Sequence, residues 1–289
     1  VCNEAALIAA RHGKKFVGKQ DFLDAVDRII GGLEKKTKIT TEAERRSIAL
    51  HEAGHASISW LLEYANPLIK VTIVPRGRAL GAAWYLPEER QITTKEQMLD
   101  EMCATLGGRA AEDLFLNRIS TGAMNDLERV TKQAYGMIAY LGMSDKLPNL
   151  CYYNNEEYSF NRPYSEKTAE LIDTEVKNMV NEQYERAKKI LSEHREGHNQ
   201  LAQLLIDKEV IFAEDVERIF GKRPWASRSE EIMAAKESQE AAEAEKRLAE
   251  EVKEKEKEIK EEEAENSTEE KETTEAKITV EGKVSIEKK

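Results

Sequence analysis

Apolar residues recur at helical spacing through most of the chain. Near its start, Ala5, Ala6, Ile8 and Ala9 precede a break at Gly13 and a short Phe16-Val17 extension. Phe22, Ala25, Val26, Ile29 and Ile30 then mark a second helix, which Gly31-Gly32 ends. This pair can bury little by itself, so it reads as the end of a larger domain. A third helix opens at Thr41, where Thr41 and Glu44 have the spacing of a capping box, and Ile48, Leu50, Ala53, Ile58, Leu61 and Leu62 form its apolar stripe. Val71–Val74 is a short β-branched strand, Pro75-Arg76-Gly77-Arg78 a turn, and Ala82–Leu86 a partner strand.

No other segment reads convincingly as β, so the fold class is mainly α with a small β-sheet. Thr93 and Glu96 suggest a second capping box before a helix running through Met98, Leu99, Met102, Leu106 and Ala110 to Leu114. Another helix follows Ser120-Thr121-Gly122, with Leu127, Val130, Ala134, Met137 and Ile138 apolar. Residues 144–164 are irregular, rich in Asn and Tyr and punctuated by Pro148 and Pro163. A long amphipathic helix starts near Ser165, and Leu201, Leu204, Leu205, Val210, Val216, Ile219 and Phe220 complete the packed region, which closes at Pro224-Trp225.

Composition changes the picture at the far end. Of the 289 residues 34% are charged and only 6% aromatic, and from Ser227 onward there is no Trp, Tyr or Phe, so residues 226–289 read as an acidic tail that buries no core, with Leu248, Val252 and Ile259 hinting at a solvated helix. The net charge of −11 argues against nucleic acid as a partner, because phosphate binding gains from a basic face. Cys2, Cys103 and Cys151 share no ligand spacing and read as reduced, small core residues. No apolar run reaches bilayer length, so this segment reads as soluble. The chain opens with Val1 already inside a helix, and the natural protein is expected to extend upstream.

The candidate chemistry lies in the third helix, in His51-Glu52-Ala53-Gly54-His55. Two histidines four apart share one helix face and can hold a single ion. Zn²⁺ suits two neutral imidazoles, a carboxylate and an open position for water. Glu52 faces away from the ligand pair but within reach of that water, as a general base and then a proton donor to the leaving amine. The alternative is two histidines satisfied by ordinary hydrogen bonds on a buried helix. A distal HxxGxxH extension is absent, so the third ligand comes from elsewhere: Glu112, Asp113 and Asp126 are the candidates, and spacing does not choose among them. Gly107 and Gly108 each cost about 1 kcal/mol against Ala in a helix, which suggests that another backbone packs closely there. The run Gly13–Lys19 imitates a phosphate-binding loop but has Gln20 where Mg²⁺ needs Ser or Thr, and no strand precedes it. His194 and His198 repeat the four-residue spacing, with Arg195 in the place of a base, and read as a solvated helix end.

Taken together, these stretches resemble a known family, the FtsH-type AAA proteases of peptidase family M41. The resemblance is carried by Asn3–Leu7 with Asp27–Gly32, His51–His55, Pro75–Gly81, Leu106–Glu112, Ser120–Ala123 and Asn125–Leu127, in the family's order. It implies a zinc ligand set of His51, His55 and Asp126, with Glu52 as catalytic acid/base and Glu112 supporting a ligand from behind. It also implies that Val71, Thr72, Ile73, Val74 and Gly77 form the edge to which an extended substrate adds.

Residues 1–35 then resemble the end of an AAA helical lid, and 36–225 the zinc peptidase domain. The implied function is an ATP-dependent, processive zinc metalloendopeptidase acting on unfolded or membrane proteins. ATP and Mg²⁺ would be bound by an upstream ATPase module, membrane helices would lie upstream too, and the whole would form a homohexamer facing the cytoplasm at the bacterial plasma membrane. The competing readings are a motor-independent zinc peptidase and a non-catalytic helical scaffold with a structural metal. Glu52 argues against the scaffold, because a structural site needs no such base.

Overall fold

The computed structural model describes residues 1–32, 41–75, 80–86, 91–152, 163–226 and 230–241, with 243, 246 and 247. Its contacts divide the chain into two units, Val1–Ala226 and Ser227–Lys289. In the second unit residues 230–241 are helical and exposed. The spacing at Leu248, Val252 and Ile259 lies outside the described residues. Among the described residues no helix is long and apolar enough to cross a membrane.

The first unit is mainly helical, as its periodicity predicts. Helices α1 (Cys2–Arg11) and α2 (Lys19–Val26, continued by a wider turn to Gly31) pack through Ala5, Ile8 and Ala25. Lys14, inside the glycine-bracketed run at Gly13–Lys19, is ion-paired with Asp21 at 2.7 Å. Helix α3 (Glu42–Leu61) begins at the expected cap: the Thr41 hydroxyl accepts from Glu44 N at 3.2 Å, and the Glu44 carboxylate accepts from Thr41 N at 2.9 Å. The expected single apolar stripe is a half-truth, because every residue from Ala49 to Trp60 is buried. Alanine, glycine and serine at 49, 53, 54, 56, 57 and 59 let neighbours close on all sides of this helix.

The sheet has three antiparallel strands in the order β2-β1-β3, where β1 is Leu68–Thr72, β2 Ala82–Tyr85 and β3 Val210–Phe212. Val71 pairs with Ala83 on one side and Ile211 on the other, and Thr72 with Ala82 and Val210. The first strand therefore starts three residues earlier than its β-branched run suggests, and ends at Thr72. A third strand, read in the sequence only as packed apolar positions, fills its far edge. Lys70 ties this sheet to the N-terminal pair through Asp27 and lies 5.4 Å from the Trp84 ring centre.

Helix α4 (Lys95–Thr105) is capped by Thr94 and Gln97, one residue later than expected. The long helix expected to reach Leu114 is two helices, because Leu106 breaks the run before α5 (Gly107–Leu116). Next come α6 (Met124–Tyr135, extended by a wider turn to Tyr140), α7 (Glu166–Glu193), starting where expected and capped by Ser165, α8 (Arg195–Lys208) and α9 (Ala213–Phe220). Residues 153–162 of the Tyr-rich loop lie outside the described residues.

Two expectations fail here. Cys103 is buried, but Cys2 and Cys151 are exposed, so they are not core residues. His198 is no solvated helix end: it is fully buried, its ring stacks on Phe115 at 4.1 Å, and its Nε2 donates to the Leu50 carbonyl at 3.1 Å. His194 is exposed, as expected.

Candidate metal centre

Helix α3 places His51 and His55 one turn apart with their rings 4.8 Å between centres, and both are buried. What brings other groups to them is a backbone crossing that only glycine permits. A Cβ on Gly54 would lie 2.4 Å from Gly107 O, and one on Gly107 would lie 2.7 Å from Gly54 O, so α3 and α5 touch backbone to backbone. A Cβ on Gly108 would lie 2.4 Å from His51 Nε2 and 2.6 Å from His55 Nε2. Gly107 thus meets the close backbone that its helix-propensity cost suggests, whereas Gly108 makes room for two imidazole rings instead.

From α5, Glu112 reaches His51 Nδ1 at 2.9 Å, and it also accepts from Ser120 N and Ser120 Oγ at 2.8 Å each. The Ser120 hydroxyl in turn accepts from Gly122 N at 3.1 Å. One buried carboxylate therefore fixes both an imidazole and the turn from which α6 starts. Burial alone would raise its pKa, but the bonds from His51 and Ser120 outweigh that and hold it at about 2. Asp126, in the first turn of α6, comes within 3.3 Å of His51 Nε2 and 3.5 Å of His55 Nε2. Asp113 points elsewhere, to the Tyr184 hydroxyl and Lys188 at 2.9 Å each.

The donor set fits a tetrahedral cation. His55 Nδ1 faces the Ala104 carbonyl at 3.0 Å, so this nitrogen must carry the proton, and a neutral ring then presents a lone pair at Nε2. His51 Nδ1 likewise faces a carboxylate. With both rings neutral, two Nε2 lone pairs 3.1 Å apart and a carboxylate oxygen would converge with no hydrogen to share. A tetrahedral Zn²⁺ with bonds near 2.1 Å keeps its ligands about 3.4 Å apart, which matches the separations of 3.1, 3.3 and 3.5 Å. These three residues are the described group able to hold a metal. The same field acts on a proton: burial disfavours a charged His51, yet Asp126 and Glu112 overcome it and push its pKa up to about 10. Burial would raise Asp126 as well, but the two histidines hold it well below the usual carboxylate range.

Glu52 is buried on the neighbouring face of α3, and burial raises its pKa against the opposing pull of the two histidines. It lines a cleft of about 750 Å³ together with His51, His55, Asp126, Gly81, Ala83 and Tyr85. The predicted substrate edge needs correcting. Val71 and Thr72 belong to the central strand, both of whose edges are taken by β2 and β3, and Ile73 N is bound to Glu209 O at 3.0 Å. Val74 N is bound to the Thr72 hydroxyl at 3.0 Å, and Gly77 lies outside the described residues. The strand that borders the cleft is β2, whose second edge is unpaired among the described residues. Tyr85 and Ser59 also line this cleft without having been singled out. Ser59 sits four residues beyond His55 on the same face, a spacing that could have signalled it; Tyr85 has no such local signal.

Residues 38–219 match the family model described as Peptidase family M41. A protein of Parabacteroides distasonis named ATP-dependent zinc metalloprotease FtsH is 73% identical over 239 residues, 82% of this chain and 35% of that protein. The Arabidopsis thaliana mitochondrial ATP-dependent zinc metalloprotease FTSH 10 is 51% identical, across 78% of this chain and 28% of its own length. The mouse mitochondrial inner membrane m-AAA protease component AFG3L2 is 46% identical, across 79% and 29%. The chain thus spans about a third of the length of the curated relatives it matches.

Proposed function

The chain belongs to peptidase family M41, and from that premise we propose that it carries the proteolytic part of an ATP-dependent zinc metalloendopeptidase. His51, His55 and Asp126 would hold one zinc, and the observation that carries this reading is the convergence of their three donor atoms within 3.5 Å of one another. Bound there, zinc lowers the pKa of a water and polarises the scissile carbonyl. Glu52 takes a proton from the attacking water at its carboxylate and returns it to the leaving amide nitrogen. Glu112 keeps the Nδ1 proton on His51 and so keeps Nε2 free to bind metal. The extended substrate pairs along the free edge of β2, a mode that reads backbone more than side chain and suits a broad range of unfolded sequences.

Residues 1–35 would be the end of an AAA helical lid, 36–225 the peptidase domain and 226–289 an acidic tail. ATP and Mg²⁺ belong to an ATPase module upstream. The proposed whole is a homohexamer, anchored by upstream membrane helices at the cytoplasmic face of a bacterial plasma membrane and fed with unfolded or membrane-protein substrates. The experiment is digestion of an unfolded protein by the zinc-loaded wild type and by Glu52→Gln, with zinc measured in both. One zinc per chain in each and cleavage by the wild type alone is expected; equal cleavage removes Glu52 from the mechanism. Asp126→Ala should lose more zinc than Glu112→Ala, and the reverse order would overturn the ligand assignment.

A further inference from the structure

Among the described residues no hydrogen bond holds the Glu52 carboxylate, so packing must aim it. The closest packing is at Gly81, the residue before β2. A Cβ there would lie 2.7 Å from Glu52 Oε1, 2.8 Å from Glu52 Cγ and 2.9 Å from the Thr72 carbonyl oxygen. The φ of Gly81 lies outside the left-handed region, so the chain does not need glycine here for its backbone conformation. It needs glycine for the space. Gly81 is also one residue before the Ala82–Thr72 pair that starts the β2 ladder, so it cannot retreat from Glu52 without loosening the strand that borders the cleft.

We propose that Gly81 is a positioning residue for the base, the missing Cβ leaving the space that the Glu52 side chain occupies in the cleft beside the strand edge and the metal ligands. This rests on the reading of Glu52 as the base. The three atoms nearest to that Cβ belong to Glu52 and Thr72 and not to a metal-binding group, so the inference separates two properties that a general distortion of the site would lose together. A methyl group at position 81 turns the base aside and leaves the metal in place.

The test uses the zinc-loaded protein and a short, flexible peptide substrate that needs no unfolding. Gly81→Ala should keep one zinc per chain and a KM within about twofold of wild type, while kcat falls at least tenfold. In a Glu52→Gln background the same substitution should lower the residual rate no further, since the two act through one group. Zinc lost along with activity, a kcat within twofold of wild type, or an additive loss in the double variant would each overturn the proposal. If Gly81→Ala does not fold, Gly81→Ala with Glu52→Ala decides: truncation at Cβ removes the contacts at Cγ and Oε1, so recovered folding supports the proposal. Failure of both to fold puts the clash at the Thr72 carbonyl and makes Gly81 merely structural. Activity retained by Glu52→Gln alone would instead sink the reading of the base and leave the packing argument untouched.

Discussion

At the residue scale, the metal centre depends on atoms that are missing as much as on those present. Gly108 lies over both imidazoles, and Ala there would gain about 1 kcal/mol in helix propensity but would bring a Cβ within 2.6 Å of both Nε2 atoms. The rings cannot swing away freely, because Glu112 and the Ala104 carbonyl hold their Nδ1 atoms. Gly108→Ala is therefore expected to weaken zinc binding at least tenfold, a loss of the size seen when ligand orientation is disturbed, read by competition against a chelator. His198 shows a different dependence on its surroundings. Burial lowers its pKa from 6.5 to about 4, partly offset by its bond to Leu50 O. The unfolded chain thus takes up a proton at higher pH than the folded one, so stability is complete above 6.5 and is lost as pH falls from 6.5 to 4. At about 1.4 kcal/mol per pKa unit, the loss approaches 3 kcal/mol. Between pH 7 and pH 4, with metal removed from both, wild type should lose roughly that much more stability than His198→Gln in urea titrations, and parallel losses would refute it.

At the element scale, the cap of α3 deserves its own measurement because it starts the helix that carries the ligands. The reciprocal bonds of Thr41 and Glu44 satisfy two amides that a helix otherwise leaves open. Thr41→Ala should cost about 1 kcal/mol of unfolding free energy without changing zinc content, which the urea midpoint and metal analysis would show. This cap was legible because Thr41 and Glu44 stand without competitors. At α4 two boxes overlap, Thr93 with Glu96 and Thr94 with Gln97, and the chain uses the second; nothing in local spacing distinguishes them. Strand β3 was hidden for another reason. Three residues between two helices carry no period, and Val210–Phe212 becomes a strand only because β1 offers an open edge. The same nonlocal pairing closes both edges of the strand at Val71–Thr72 and leaves β2 with an unpaired edge among the described residues. His198 was misread likewise, since its partners, Phe115 and Leu50, are distant in sequence.

At the scale of the whole molecule, a metal in the proposed site would be a crosslink as well as a reagent. His51 and His55 come from α3, but Asp126 comes from α6, whose start is set by Ser120 and Glu112. The proximity of the two histidines was written in their spacing, whereas Asp126 lay 71 residues beyond His55 with no local pattern to choose it over Glu112 or Asp113. Tertiary packing brings Asp126 to the two histidines, so the folded state alone assembles the proposed ligand set and zinc bound there would favour it over the unfolded chain. At a free zinc concentration one hundred times Kd the gain is about 2.7 kcal/mol, which for a unit of this size corresponds to roughly 5–10 °C in Tm. Chelation should therefore lower the melting temperature by about that amount, and restoring zinc should recover it. Asp126→Ala should show much less of the zinc-dependent rise, because its two remaining ligands share one helix and no longer join α3 to α6. Glu52→Gln should keep the full rise, since Glu52 lies outside the donor set while sharing its cleft. A zinc-dependent shift that survives in Asp126→Ala at full size would mean that the metal sits on α3 alone, and the two-helix centre would have to be abandoned.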